Sequence, residues 1–151
     1  MNPLSENEPM RLHHVGYVVG SIQTMADRFA ESIGAIWDGK VILDPLQGAK
    51  VTFIANRAHT LPLVELVQPE GEDSPLSNFM KRGGGLHHLC YEIRDLDRQL
   101  ESSRSIGRKI VRPPLPAVAF QDRRIAWVFT KDRLLIEFLE TPQGSAPIKT
   151  G

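Results

Sequence analysis

Two tandem histidine pairs, His13-His14 and His87-His88, carry the most chemistry in this chain. Imidazole is both a common metal ligand and a proton carrier near neutral pH. The pairs share a frame. Leu12-His13-His14-x-x-Tyr17 returns 74 positions later as Leu86-His87-His88-x-x-Tyr91, with Val19 matched by Ile93 and Ile22 by Leu96. Each copy is followed, near its end, by a glutamate inside an apolar run: Val64-Glu65-Leu66-Val67 and, 72 positions later, Ile136-Glu137-Phe138-Leu139. A strand alternates its faces with period two, so each carboxylate points opposite its apolar neighbours. Such a carboxylate must be solvated, paired or metal-bound, because burying it alone is very costly.

His14, Glu65, His88 and Glu137 therefore form a candidate quartet of two imidazoles and two carboxylates. That set suits a borderline divalent ion: Zn, Co, Ni, Mn or Fe(II). A single histidine of this kind more often packs in a core, and a single glutamate more often faces water on a one-sided sheet. The return of both types at equivalent places is what points to a shared metal. The pattern alone leaves open which histidine of each pair faces inward.

The elements that must position these groups follow the repeat. Residues 12–19 read as a strand, and Ser21 caps a helix running through Ile22, Met25, Ala26, Phe29, Ala30 and Ile33 to Gly34. Strands are expected over 37–43, 50–55 and 63–67, giving β-α-β-β-β for the first module, residues 11–69. Residues 70–85 read as a linker whose short helix starts at Ser74-Pro75, with Gly83-Gly84-Gly85 ending it. The second module, 86–141, repeats the order: a strand over 86–93, a helix from Asp95 to about Ile106, a strand over 109–112 cut by Pro113-Pro114, and strands over 124–130 and 134–139. Residues 1–10 and 142–151 read as loose tails. The fold class is α+β, two tandem β-α-β-β-β repeats.

Composition sets outer bounds. Hydrophobic residues make up 41% and charged residues 24% of the 151, with Lys+Arg and Asp+Glu at 18 each. A formal charge of zero gives no pull toward nucleic acid or an acidic membrane. Cys90 is the only cysteine and cannot form an internal disulfide, which fits a cytoplasmic protein. No apolar run approaches the ~20 residues of a membrane-spanning helix.

These residues together resemble the vicinal oxygen chelate superfamily, most closely its methylmalonyl-CoA epimerase branch, with glyoxalase I as a cousin. The resemblance spans about 11–141. It rests on His13-His14-Val15-Gly16-Tyr17-Val18-Val19, Gln47-Gly48, Val64-Glu65-Leu66-Val67-Gln68-Pro69, Asp73-Ser74-Pro75-Leu76, Gly84-Gly85-Leu86-His87-His88 and Leu135-Ile136-Glu137-Phe138-Leu139-Glu140. It implies mixed sheets curled around a metal-centred pocket, with His14, Glu65, His88 and Glu137 as ligands. It also implies a homodimer. The chain departs from the epimerases where their glycine-rich loop and His-Pro…Gly-Gly stretch would fall, at 116–124 and 130–134. Val51, which cannot move a proton, stands where some epimerases carry a second acidic residue.

The implied activity is an epimerase or isomerase. One divalent ion would stabilise the charge that grows on a carbonyl oxygen when an α-proton leaves, and Glu137 or Glu65 would take that proton. The substrate would be an acyl thioester of the methylmalonyl-CoA kind or an α-hydroxy/α-keto compound, reached through an enolate. Gln47, Phe120, Arg124 and Trp127 are candidate substrate contacts. A glyoxalase I-type lactoylglutathione lyase is the alternative outcome of the same proton transfer. A metal-free drug-binding protein of the same fold is the alternative without catalysis.

Overall fold

The computed structural model describes residues 9–142 together with Gly144 and Ile148. The expected tails therefore lie largely outside the described residues. The chain divides into two compact units: His14–His87, and the segments before and after it. The division runs between the two histidines of each His-His pair.

The His14–His87 unit contains most of β1 (Arg11–Val18), then α1 (Ile22–Ser32), β2 (Ile42–Asp44), β3 (Ala49–Ile54), β4 (Leu63–Pro69) and α2 (Ser77–Lys81). Its strands run β2-β3-β4-β1, with β1 parallel to β4 and the other neighbours antiparallel. Helix α1 starts where the Ser21 hydroxyl accepts from the Thr24 amide at 3.3 Å. It ends at Gly34, whose φ of +67° suits a residue without Cβ. Ile22, Ala26 and Ala30 lie along one side of α1 and bury themselves with Val19, Ala35, Ile54 and Leu66. Burying a side chain such as Ile22 or Leu66 contributes about 1.5–3 kcal/mol.

The other unit contains β5 (Gly85–Ile93) from His88 onward, α3 (Leu96–Ser105), β6 (Lys109–Ala117), a 3-10 turn (Val118–Phe120), β7 (Arg123–Phe129) and β8 (Leu135–Glu140). Its order, β5-β8-β7-β6, again pairs the opening strand in parallel with the closing one. Asp95 caps α3 by accepting from the Arg98 amide at 3.0 Å. The two units also share a second cap. The Gln68 side chain accepts from the Ile22 amide at 2.9 Å, and the Glu140 carboxylate accepts from the Leu96 amide at 3.3 Å. Ile93, Leu96, Leu100, Ala126, Val128 and Phe138 form the core beneath α3.

Three expectations about element bounds need correction. The strand expected over 37–43 is confined to Ile42–Asp44, because the Asp38 carboxylate draws back the Lys40 amide in a turn through Gly39. The linker helix starts at Ser77, after the Ser74 carbonyl accepts from the Ser77 amide. Strand β6 continues through Pro113, Pro114 and Pro116 to Ala117. It ends the strand order and carries register shifts between Ile110 and Arg112 and between Arg112 and Leu115, the setting in which a strand tolerates proline. No helix among the described residues is long and apolar enough to cross a membrane.

Candidate metal centre and active site

In the His14–His87 unit, β1 and β4 lie side by side with Gly16 opposite Glu65. This places the His14 and Glu65 side chains on one face. Both are buried, at 0% and 5% exposure. His14 Nε2 stands 3.6 Å from Glu65 Oε2. That is longer than a hydrogen bond and close to the ~3.3 Å separating two ligands of a tetrahedral ion with bonds of ~2.0–2.2 Å. Phe53 is the register partner of Glu65 on β3, and its ring meets the His14 ring edge-on at 5.7 Å.

The second unit repeats this arrangement. His88 and Glu137 are buried at 4% and 3%, and each offers a ligand atom within 4.8 Å of the other. Cys90 on β5 is the register partner of Glu137, as Gly16 is of Glu65. Trp127 on β7 is also a register partner of Glu137, and its ring meets the His88 ring edge-on at 4.6 Å. A histidine, a glutamate from the parallel closing strand and an aromatic ring thus recur in both units.

The other histidine of each pair follows the strand alternation away from its glutamate. His13 meets the Phe120 ring at 5.5 Å, and His87 meets the Phe79 ring at 4.9 Å. Burial lowers the pKa of both. For His13 the nearby Glu92 opposes that shift, while Arg123 and Arg11 reinforce it. His13 and Cys90 also offer ligand atoms within 4.8 Å of one another.

The remaining sequence candidates are distributed differently. Gln47 lies in the β2–β3 turn, where its amide and that of Leu46 donate to the Asp44 carboxylate. That turn lies beyond Ala49, which is four residues, or ~13 Å along a strand, from Phe53. Phe120 is buried at 7% beside His13. Arg124 is held by Glu140, with 2.8 and 2.9 Å contacts, and by Asp97 at 3.1 Å. Those hydrogen bonds, Glu140's foremost, raise its pKa above the ordinary arginine value. Trp37, at the start of the strand expected over 37–43, donates through Nε1 to Thr52 at 2.8 Å and packs on the core beneath α1.

Sequence reasoning missed one polar group. Glu92 is 5% exposed, and its carboxylate accepts from Arg11 through Oε2 and from Arg123 through Oε1, the latter at 2.9 Å. Its only sequence signal is a charge at an inward position of β5 whose counterpart in the first repeat is Val18.

The sequence model of the glyoxalase/bleomycin resistance protein/dioxygenase superfamily matches residues 13–148. The chain belongs to this superfamily. Among its relatives is the ethylmalonyl-CoA/methylmalonyl-CoA epimerase of Cereibacter sphaeroides, 29% identical over 126 residues covering 81% of this chain and 90% of that one. The mitochondrial methylmalonyl-CoA epimerase of Dictyostelium discoideum is 25% identical over 134 residues, covering 86% of this chain and 78% of the relative. The crystal structure of methylmalonyl-CoA epimerase from Mycobacterium tuberculosis aligns with a TM-score of 0.75 at 26% identity, over 87% of this chain and 89% of that one. The resemblance to the epimerase branch of the superfamily holds, as does the expected fold class of paired β-α-β-β-β repeats with mixed sheets.

Proposed function

We propose that this superfamily member is a divalent-metal-dependent epimerase acting on an acyl-CoA of the methylmalonyl-CoA kind. The observation that carries this reading is the recurrence of one arrangement, His14–Phe53–Glu65 and His88–Trp127–Glu137, in a chain whose relatives include proteins named as methylmalonyl-CoA epimerases. In this reading His14, Glu65, His88 and Glu137 together hold one ion. The donor set fits: two imidazoles and two carboxylates match a borderline divalent metal, and the 3.6 Å His14–Glu65 spacing suits two ligands of one ion better than a hydrogen-bonded pair.

A divalent ion held there supplies Lewis-acid stabilisation of the negative charge that develops on a thioester carbonyl oxygen. The chain's own residues move the proton. Glu137 takes the α-proton from one face of the carbon, and Glu65 serves as the second acid–base group, because β3 offers Val51 and Phe53 beside it and no further acid. Return of a proton to the same carbon from the opposite face inverts the centre. Phe53 and Trp127 hold the imidazoles edge-on and exclude water, which strengthens electrostatic effects at the reacting atoms.

The test is stereochemical. Metal-loaded protein is incubated with one epimer of methylmalonyl-CoA, and the approach to an equal mixture is followed by chiral separation after hydrolysis. Equilibration abolished by a chelator and restored by metal supports the reading. Inertness toward both epimers, with turnover of the methylglyoxal–glutathione hemithioacetal instead, would replace it with the lyase.

A further inference from the structure

We propose that Arg123 and Arg11, set around Glu92, form a carboxylate-binding subsite on the His88-bearing face of β5. Glu92 follows His88 and Cys90 at strand period two, so it shares their face, ~13 Å along β5 from His88. Its two oxygens are divided between two guanidiniums, Oε1 with Arg123 and Oε2 with Arg11. Two arginines against one carboxylate leave one positive charge in excess.

The donors are not used up. Arg123 directs Nε to the Phe120 carbonyl and Nη1 to Glu92 and the Glu140 carbonyl, leaving Nη2 without a hydrogen-bond acceptor among the described residues. Its guanidinium lies 5.9 Å from the Phe120 ring centroid, within reach of a cation–π contact. The Arg11 side chain is 53% exposed and that of Arg123 19%, so the cluster opens to solvent through Arg11.

The internal repeat provides the control. The positions equivalent to Glu92 and Arg123 are Val18 and Ala49, each 1% exposed, and Val18 faces Val67 as Glu92 faces Leu139. The fold therefore packs this place with apolar side chains when stability is the only demand. A buried ion cluster there gains little over apolar packing, so its presence in one repeat alone points to recognition. A carboxylate, singly charged and planar, matches both the excess charge and the free edge of the Arg123 fork. A phosphate dianion would overcharge the cluster. The distance from His88 sets this carboxylate apart from a malonyl group held next to the metal ligands. It belongs to a more distal part of the substrate or to a separate small acid. The inference stands independently of the epimerase reading.

The experiment is a side-chain NMR titration of 15N-labelled, metal-loaded protein with glutarate, and separately with inorganic phosphate. The expected result is a saturable shift of the Arg123 and Arg11 Nε–Hε signals with glutarate. The affinity should rise severalfold in Glu92→Gln, which removes the competing carboxylate. It should fall at least tenfold in the double variant Glu92→Leu/Arg123→Met, which mimics the apolar packing of the first repeat and keeps an unchanged or raised melting temperature. Tighter binding of glutaryl-CoA than of butyryl-CoA would assign the carboxylate to the acyl chain, and equal binding to a separate acid; either assignment upholds the subsite. No saturable shift, a response to phosphate alone, or undiminished glutarate binding by the folded double variant would overturn it.

Discussion

His14 and Glu65 hold imidazole nitrogen and carboxylate oxygen 3.6 Å apart, buried from water, on neighbouring parallel strands. That separation is longer than a good hydrogen bond between the two groups and within the range of two ligands on one ion. His88 and Glu137, buried on the parallel strands β5 and β8, offer ligand atoms within 4.8 Å of each other.

This yields a paired prediction for the second repeat. His88→Ala and Glu137→Gln should each lower α-proton exchange by about 10²-fold or more, while circular dichroism shows a folded chain. His87→Ala, one position along and turned toward Phe79, should leave exchange within a few-fold of the parent. Equal losses at His87 and His88 would contradict the facing assigned here.

The aromatic rings against the histidines have their own signature. Trp127→Ala should weaken metal binding by about tenfold in chelator competition, because the ring restrains the His88 imidazole. Trp127→Phe should restore most of that loss. Phe53→Ala should act in the same direction through His14.

Arginines 123 and 124 are adjacent in sequence and opposite in consequence. Arg124 pairs with Asp97 and Glu140, and its side chain and that of Asp97 are 40% and 70% exposed. Solvent screening limits the exposed pair with Asp97 to about 1 kcal/mol or less, and the two-pronged contact with the less exposed Glu140 adds about 1 kcal/mol more. Arg124→Met should therefore shift stability by no more than the two together and leave the KM for an acyl-CoA unchanged, as measured by urea unfolding and steady-state kinetics.

Glu92 gives a pH prediction with a definite sign. Burial alone would raise its pKa, but hydrogen bonds from Arg11 and Arg123 outweigh that and hold it below the ordinary value of 4.5. A carboxyl group depressed in the folded state contributes stability that is fully present above its unfolded pKa. That contribution is lost as pH falls through the folded value. Urea unfolding should show the parent more stable than Glu92→Gln near neutrality, with the difference shrinking below about pH 4.5.

Much of this was legible in the sequence because the signals repeat. The Leu-His-His-x-x-Tyr frame and the two glutamates in apolar strands identified the opening and closing strands of both units, and Ser21 and Asp95 marked the helix starts. What sequence patterns could not supply was strand position within the sheet. Pro113 and Pro114 read as a break, yet β6 ends the strand order and keeps its pairing through shifts of register. Glu92 passed as one charge in an alternating strand, since only the fold brings Arg11 and Arg123 to it across 81 and 31 residues. Arg124 looked available for substrate because its partners, Asp97 and Glu140, are distant in the chain.

The central claim is that the four repeat-related residues hold one metal ion, and elemental analysis of the purified, untagged protein tests it most directly. The prediction is about one equivalent of Zn, Co, Ni, Mn or Fe per chain, removed by a chelator and regained on incubation with the ion. A folded chain that remains metal-free after exposure to each of these ions would contradict the account.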